Sequence, residues 1–147
     1  VVSGTFDKLH IAHKCLIFET FKRADHVIIG VMSDKFLQNK IASEKIDPFS
    51  IRVKRVREYC DSLIGHLRAK DYEIIEISGP YDVVLEEKRK IDYIVVSDET
   101  LPRAVMINVL REKKGLNSLE IVVVPMVKDQ YGRPISAHRF RTGELEA

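Results

Sequence analysis

A chain of 147 residues suits one domain with a sizeable core. Hydrophobic residues make up 45% and charged residues 31%, the composition of an ordinary soluble globular protein. The formal net charge of +2 is too small a bias to argue for nucleic acid as a partner, although it leaves room for a local basic pocket, and no apolar run approaches the roughly 20 residues that cross a bilayer.

The opening Val1-Val2-Ser3 has neither a basic n-region nor an apolar h-region, so no signal peptide is expected. It also lacks Met, so a few residues are expected ahead of it. Val1-Val2 reads as the end of a buried strand, followed by a turn at Ser3-Gly4. From Ile11 to Arg23 the apolar residues recur in a loosely helical pattern. Val27 to Met32 is a continuous apolar run, as expected of a strand covered on both faces. Ser33 to Asp47 is polar and reads as a short helix followed by a mobile loop. Pro48 opens a long helix in which Val53, Val56, Cys60, Leu63 and Leu67 step by three and four.

Tyr72 to Ile77 is the next strand, ended by Ser78-Gly79-Pro80. A short helix is expected over Tyr81–Lys90, then a strand over Asp92–Val96 and a helix over Glu99–Lys114, closed by Gly115 as a left-handed cap. Leu119 to Val124 is the fifth strand, and a final helix starts at about Ser136. Cys15 and Cys60 lie in helical patterns without metal-ligand spacing and read as buried thiols of a reducing cytosol. Strands alternating with helices predict an α/β fold: a single-domain, doubly wound, Rossmann-like sheet of five parallel strands, in a cytoplasmic protein. In such sheets ligands bind beyond the carboxyl ends of the strands.

Four segments at those ends carry chemistry. In Gly4-Thr5-Phe6-Asp7-Lys8-Leu9-His10-Ile11-Ala12-His13, two histidines three apart project from the first turn of a helix and share its face. Both imidazoles can reach one phosphate, and the helix start is itself an anion site. The plainer alternative is that the histidines pack against or cap the helix. No third ligand follows and HExxH is absent, so no metal site is expected here. In Ile135 to Glu144, Ser136 can cap a helix whose backbone N–H groups face an anion, while Arg139 and Arg141 supply planar forks for phosphate oxygens; an amphipathic helix with solvated arginines is the alternative. Ser97-Asp98-Glu99-Thr100 follows a buried strand, where it suits ribose hydroxyls or a base, or forms a plain helix cap. Lys40 lies on the polar loop after the second strand, where most lysines are solvated, and Lys35 and Lys45 stand near it as competitors for the role the resemblance below gives it.

The segment GTFDKLHIAH resembles the GTFDxxHxGH signature of HxGH nucleotidyltransferases, the superfamily of phosphopantetheine adenylyltransferases and cytidylyltransferases. Ile135 to Glu144 resembles its ISSTxIRxG motif, and the VSDET and EKKGLNSLEIVVVP stretches resemble the archaeal and eukaryotic phosphopantetheine adenylyltransferase branch. The likeness runs from Val1 to Glu144. It implies adenylyl transfer from ATP to 4′-phosphopantetheine, giving dephospho-CoA and pyrophosphate, with Mg²⁺ bridging the triphosphate and a monomer or small homo-oligomer as the working form. It also implies roles. Thr5, Phe6, Asp7 and Lys40 would serve the acceptor. His10, His13, Ser97, Glu99, Ser136, Ala137, His138, Arg139 and Arg141 would hold the nucleotide, with His13, Lys40 and Thr5 acting on the reaction itself.

The sequence departs from the pattern at four positions. Ser3 stands where relatives often carry Gly, Ala12 replaces the Gly of HxGH, and Ala137 and His138 replace two hydroxyl residues of the distal motif. Ala12, Ala137 and His138 admit a nucleotide-binding module without turnover, and a sister transferase using CTP or another acceptor would share the same fold and phosphate site.

Overall fold

The computed structural model describes residues 1–37, 45–125 and 130–131. Among these residues five strands and three helices follow in the order β1 Val2–Gly4, α1 Ile11–Arg23, β2 His26–Met32, α2 Phe49–Leu63, β3 Asp71–Ile77, β4 Tyr93–Ser97, α3 Leu101–Lys113 and β5 Glu120–Val124. A 3₁₀ turn at Lys35–Leu37 follows β2, and residues 38–44 of the stretch expected as a short helix and loop lie outside the described residues.

All strand pairs are parallel. One sheet has the order β1-β2-β3, and β4 pairs with β5 in a second. The expected continuous five-stranded sheet is therefore divided into three strands and two. The reason lies in β1, which is only three residues long and spends its ladder on β2 through Val2–Ile29, Ser3–Gly30 and Gly4–Val31. β4 lies beside it, and the hydrogen bonds there run through Val1, whose nitrogen donates to the Tyr93 carbonyl at 2.7 Å and whose carbonyl accepts from Val95 N–H at 3.0 Å.

Helices cover both faces. On one, Ile17 and Phe21 of α1 and Val56 and Cys60 of α2 pack against Val2, Val27, Ile29, Val31, Val95 and Val122. On the other, Ala104 and Ile107 of α3 join Val83 and Val84 against Ile28, Ile77, Ile94 and Val96. Successive strand residues point to opposite faces, so the apolar runs Val27–Met32 of β2 and Ile94–Val96 of β4 feed both cores. Cys60 is buried and Cys15 half-buried; burial pushes the Cys60 thiol up to about 12. Among the described residues no helix is long and apolar enough to cross a membrane.

Local chemistry sets several boundaries. α1 ends with Lys22 and Arg23 in its last turn, where cations complement the helix dipole. α3 closes at Gly115, in the left-handed region with φ 77°. Gly115 N–H bonds to Glu112 O at 3.0 Å and Leu116 N–H to Arg111 O at 2.9 Å, the paired bonds of a Schellman stop. α2 ends at Leu63, short of Leu67, because the chain turns through Gly65 at φ 87°.

The expected helix over Tyr81–Lys90 is a run of turns. Two of its carbonyls are taken by α3 and the residue that caps it: Arg111 Nη1 donates to Val84 O at 2.6 Å and Lys114 Nζ to Leu85 O at 3.1 Å. Those bonds hold the adjacent Val83 and Val84 in the core in place of a helical ladder.

Candidate active site

The carboxyl ends of the parallel strands lie on one edge. From β1 the chain enters the loop Thr5–Leu9 and then α1, with His10 as the residue before its first turn. The two histidines cap the helix themselves. Ala12 N–H donates to His10 Nδ1 at 3.2 Å, and His10 N–H donates to His13 Nδ1 at 3.3 Å. The rings stack with centroids 3.8 Å apart and planes 20° apart. The expected face-sharing pair and its plainer alternative, a helix cap, are thus both present: each ring caps through Nδ1.

That division decides the tautomer. An Nδ1 that accepts a backbone N–H carries no proton, so the ring proton of each histidine sits on Nε2. Burial pushes the His10 ring down to about 4, against the upward pull of the Asp7 carboxylate. His10 is therefore a neutral donor at neutral pH.

The loop ahead of the helix is strained and held from several sides. Phe6 and Lys8 lie in the left-handed region with φ 52° and 48°, conformations that cost of order 1–3 kcal/mol each for residues with a Cβ. The Phe6 ring is 1% exposed and meets the His13 ring edge-on at 5.4 Å. Phe6 was expected to serve the acceptor; the structure places its side chain in the core, in contact with the His13 ring. Asp7, also expected to serve the acceptor, is fully buried, and its Oδ1 accepts from Asp47 N–H at 3.0 Å. Lys8 Nζ reaches Lys45 O at 3.1 Å and Asp47 Oδ1 at 3.4 Å. The segment Lys45–Asp47 is thereby tied to the histidine loop.

Arg52, which sequence reasoning passed over among the charged residues of α2, is fully buried beneath Thr5. Its guanidinium donates to Thr5 O at 2.8 Å, Met32 O at 2.7 Å, Asp47 O at 2.9 Å and Asp34 Oδ1 at 2.8 Å. A signal was available: Arg52, Val56 and Cys60 step by four, which places the arginine on the buried stripe of the helix.

Ser97 ends β4 on the same edge. The bonds of Val1 to Tyr93 and Val95 set Val1 beside Ile94, at the start of β4. Ser97 N–H donates to Thr100 Oγ1 at 3.1 Å, so the Thr100 hydroxyl closes this turn and does not cap α3. Glu99 is exposed and precedes the helix. Lys40 and the distal residues Ser136, Ala137, His138, Arg139 and Arg141 lie outside the described residues. Among those described, no group of three or more His, Cys, Asp or Glu could hold a metal ion.

A cytidylyltransferase-like family model matches residues 1–143, the span from the paired-histidine loop to the distal arginines. The chain belongs to this family. Among cytidylyltransferase-like relatives, a protein of Methanopyrus kandleri named phosphopantetheine adenylyltransferase is 40% identical over 99% of this chain and 89% of its own length. One of the same name from Methanosarcina acetivorans is 42% identical over 99% of this chain and 90% of its own length. A crystal structure of a protein with unknown function from Archaeoglobus fulgidus superposes with a TM-score of 0.72 at 34% identity, covering 92% of this chain and 97% of that one.

Proposed function

We propose that the chain transfers the adenylyl group of ATP to 4′-phosphopantetheine, giving dephospho-CoA and pyrophosphate in coenzyme A biosynthesis. One observation carries the reading. The family's histidine loop folds at the carboxyl end of β1 as a stacked pair whose Nδ1 atoms cap α1, in a chain that matches relatives of that name over 99% of its length.

A phosphate oxygen of the acceptor forms a bond to the α-phosphorus, and the bond from that phosphorus to the bridging oxygen of the β-phosphate breaks. Two anions must approach, so catalysis consists of positioning and preorganised positive charge. Thr5 hydrogen-bonds the acceptor phosphate and Lys40 neutralises it. His13 donates from Nε2 to the α-phosphate as charge develops, and His10 supports the same donor face. Ser97 and Glu99 hold the nucleoside. Ser136, the backbone of Ala137 and His138, and Arg139 with Arg141 hold the departing pyrophosphate. Mg²⁺ enters on the triphosphate as part of the substrate. The parallel strands and their helices form a single Rossmann-like nucleotidyltransferase domain, working as a monomer or small homo-oligomer.

Pyrophosphate release from MgATP, measured with and without 4′-phosphopantetheine, tests this directly. Acceptor-dependent release with dephospho-CoA as product is expected. Release with a different acceptor, or with CTP alone, would move the chain to another reaction of the same family.

A further inference from the structure

The transfer proposed for this site uses the polar groups of the histidine loop and leaves out Arg52. Yet this guanidinium is fully buried, and three of its four acceptors are backbone carbonyls. A buried charge is costly, and packing alone is met more cheaply by an apolar residue on a stripe shared with Val56 and Cys60. The positions of those carbonyls explain the choice. Gly4 with Val31 is the last rung between β1 and β2. One step beyond it the strands part, and Nη1 donates to both opened carbonyls, Thr5 O at 2.8 Å and Met32 O at 2.7 Å. The same planar group holds Asp47 through Nε and Asp34 through Nη2. Asp34 in turn accepts from Phe49 N–H at 3.0 Å, at the start of α2.

We propose that Arg52 is a positioning residue of the transfer site, acting through Thr5. By gripping the Thr5 carbonyl where the ladder opens, it fixes the backbone that carries the Thr5 hydroxyl, and it ties the Lys45–Asp47 limb to that backbone. The proposal rests on the reading of Thr5 as the acceptor-side group. A lysine is a point charge without the fork and cannot span these four acceptors at once. Misplacement of a reacting group by about 1 Å can cost on the order of 100-fold in rate.

The test is a double-mutant cycle of Arg52→Lys with Thr5→Val, read by steady-state kinetics, MgATP binding and denaturant unfolding. Arg52→Lys is expected to unfold cooperatively and bind MgATP within about threefold of the parent, while kcat falls roughly 10- to 100-fold and the acceptor KM rises. In the Thr5→Val background the same change should lower kcat by less than about threefold more, because both substitutions remove one interaction. Parent-like kcat in Arg52→Lys, or losses that multiply across the two positions, would overturn the proposal. If Arg52→Lys does not fold, Asp34→Asn, which loosens one of the four contacts, takes its place in the cycle, and parent-like kcat or multiplying losses there would overturn the proposal in the same way.

The parent is assayed first. Absence of acceptor-dependent pyrophosphate release there counts against the proposed function alone. The positioning role is then read from amide resonances: Thr5 and Phe6 should shift in the variant while those of α3 stay, and unmoved Thr5 and Phe6 amides would overturn it.

Discussion

His10 and His13 each spend one ring nitrogen on structure. Nδ1 of each caps α1 at 3.2 and 3.3 Å, which leaves the proton of each ring on Nε2. His13→Ala should therefore lower kcat by roughly 10²- to 10³-fold, the usual effect of losing one donor to developing charge, with MgATP binding largely kept. Turnover near that of the parent would remove His13 from the mechanism. His10 makes a different prediction. Its folded pKa of about 4 lies below the ordinary 6.5, so between those values the unfolded chain takes up a proton that the folded chain refuses. Stability is full above about pH 6.5 and declines as the pH falls towards 4. Urea unfolding across that window should show the decline, and His10→Asn, which keeps a capping side chain without the titrating ring, should flatten it. An unchanged slope in the variant would assign the pH dependence to other groups.

At the scale of elements, the close approach of β1 to β2 sets a packing limit. A Cβ at Gly30 would lie 2.9 Å from Ser3 Oγ and 3.0 Å from Ile77 Cδ1. Gly30→Ala should cost about 1–3 kcal/mol in denaturant unfolding, the range for overpacking a tight site. Part of the loss should return in a Ser3→Gly background, where the nearer obstacle is gone; a loss unaffected by Ser3 would point to Ile77. Ser3, a departure from the family's frequent Gly, is thus coupled to its partner across the ladder. Element types were readable wherever the pattern was local. α1 occupies Ile11–Arg23 as its periodicity predicts, and α3 stops at Gly115. Tyr81–Lys90 was not readable, because the carbonyls of Val84 and Leu85 are claimed by Arg111 and Lys114 from a helix that comes later in the chain.

Across the whole molecule, the proposed site draws on segments far apart in sequence: the histidine loop, the end of β4, and the distal residues 136–141. A ligand that needs all of them binds the folded chain and not the unfolded one. MgATP at about 100 times its Kd should therefore stabilise the protein by roughly 2.7 kcal/mol, seen as a rise in Tm. His13→Ala should retain most of that rise at matched saturation. Loss of the shift at saturation in the parent would mean that these segments do not close on one nucleotide.

The sequence by itself determined the α/β alternation, the parallel pairing, the position of the histidine pair and the family motif. Each depends on residues within a few positions of one another, through periodicity, turn chemistry and shared helix faces. Only the tertiary structure decided that Phe6 and Asp7 are buried supports, that Nδ1 of each histidine is spent on capping, and that a charged residue of α2 belongs inside. Arg52 finds its acceptors at Thr5 and Met32, 47 and 20 residues away. A buried guanidinium is stable only where such partners converge, and that convergence is a property of the folded chain.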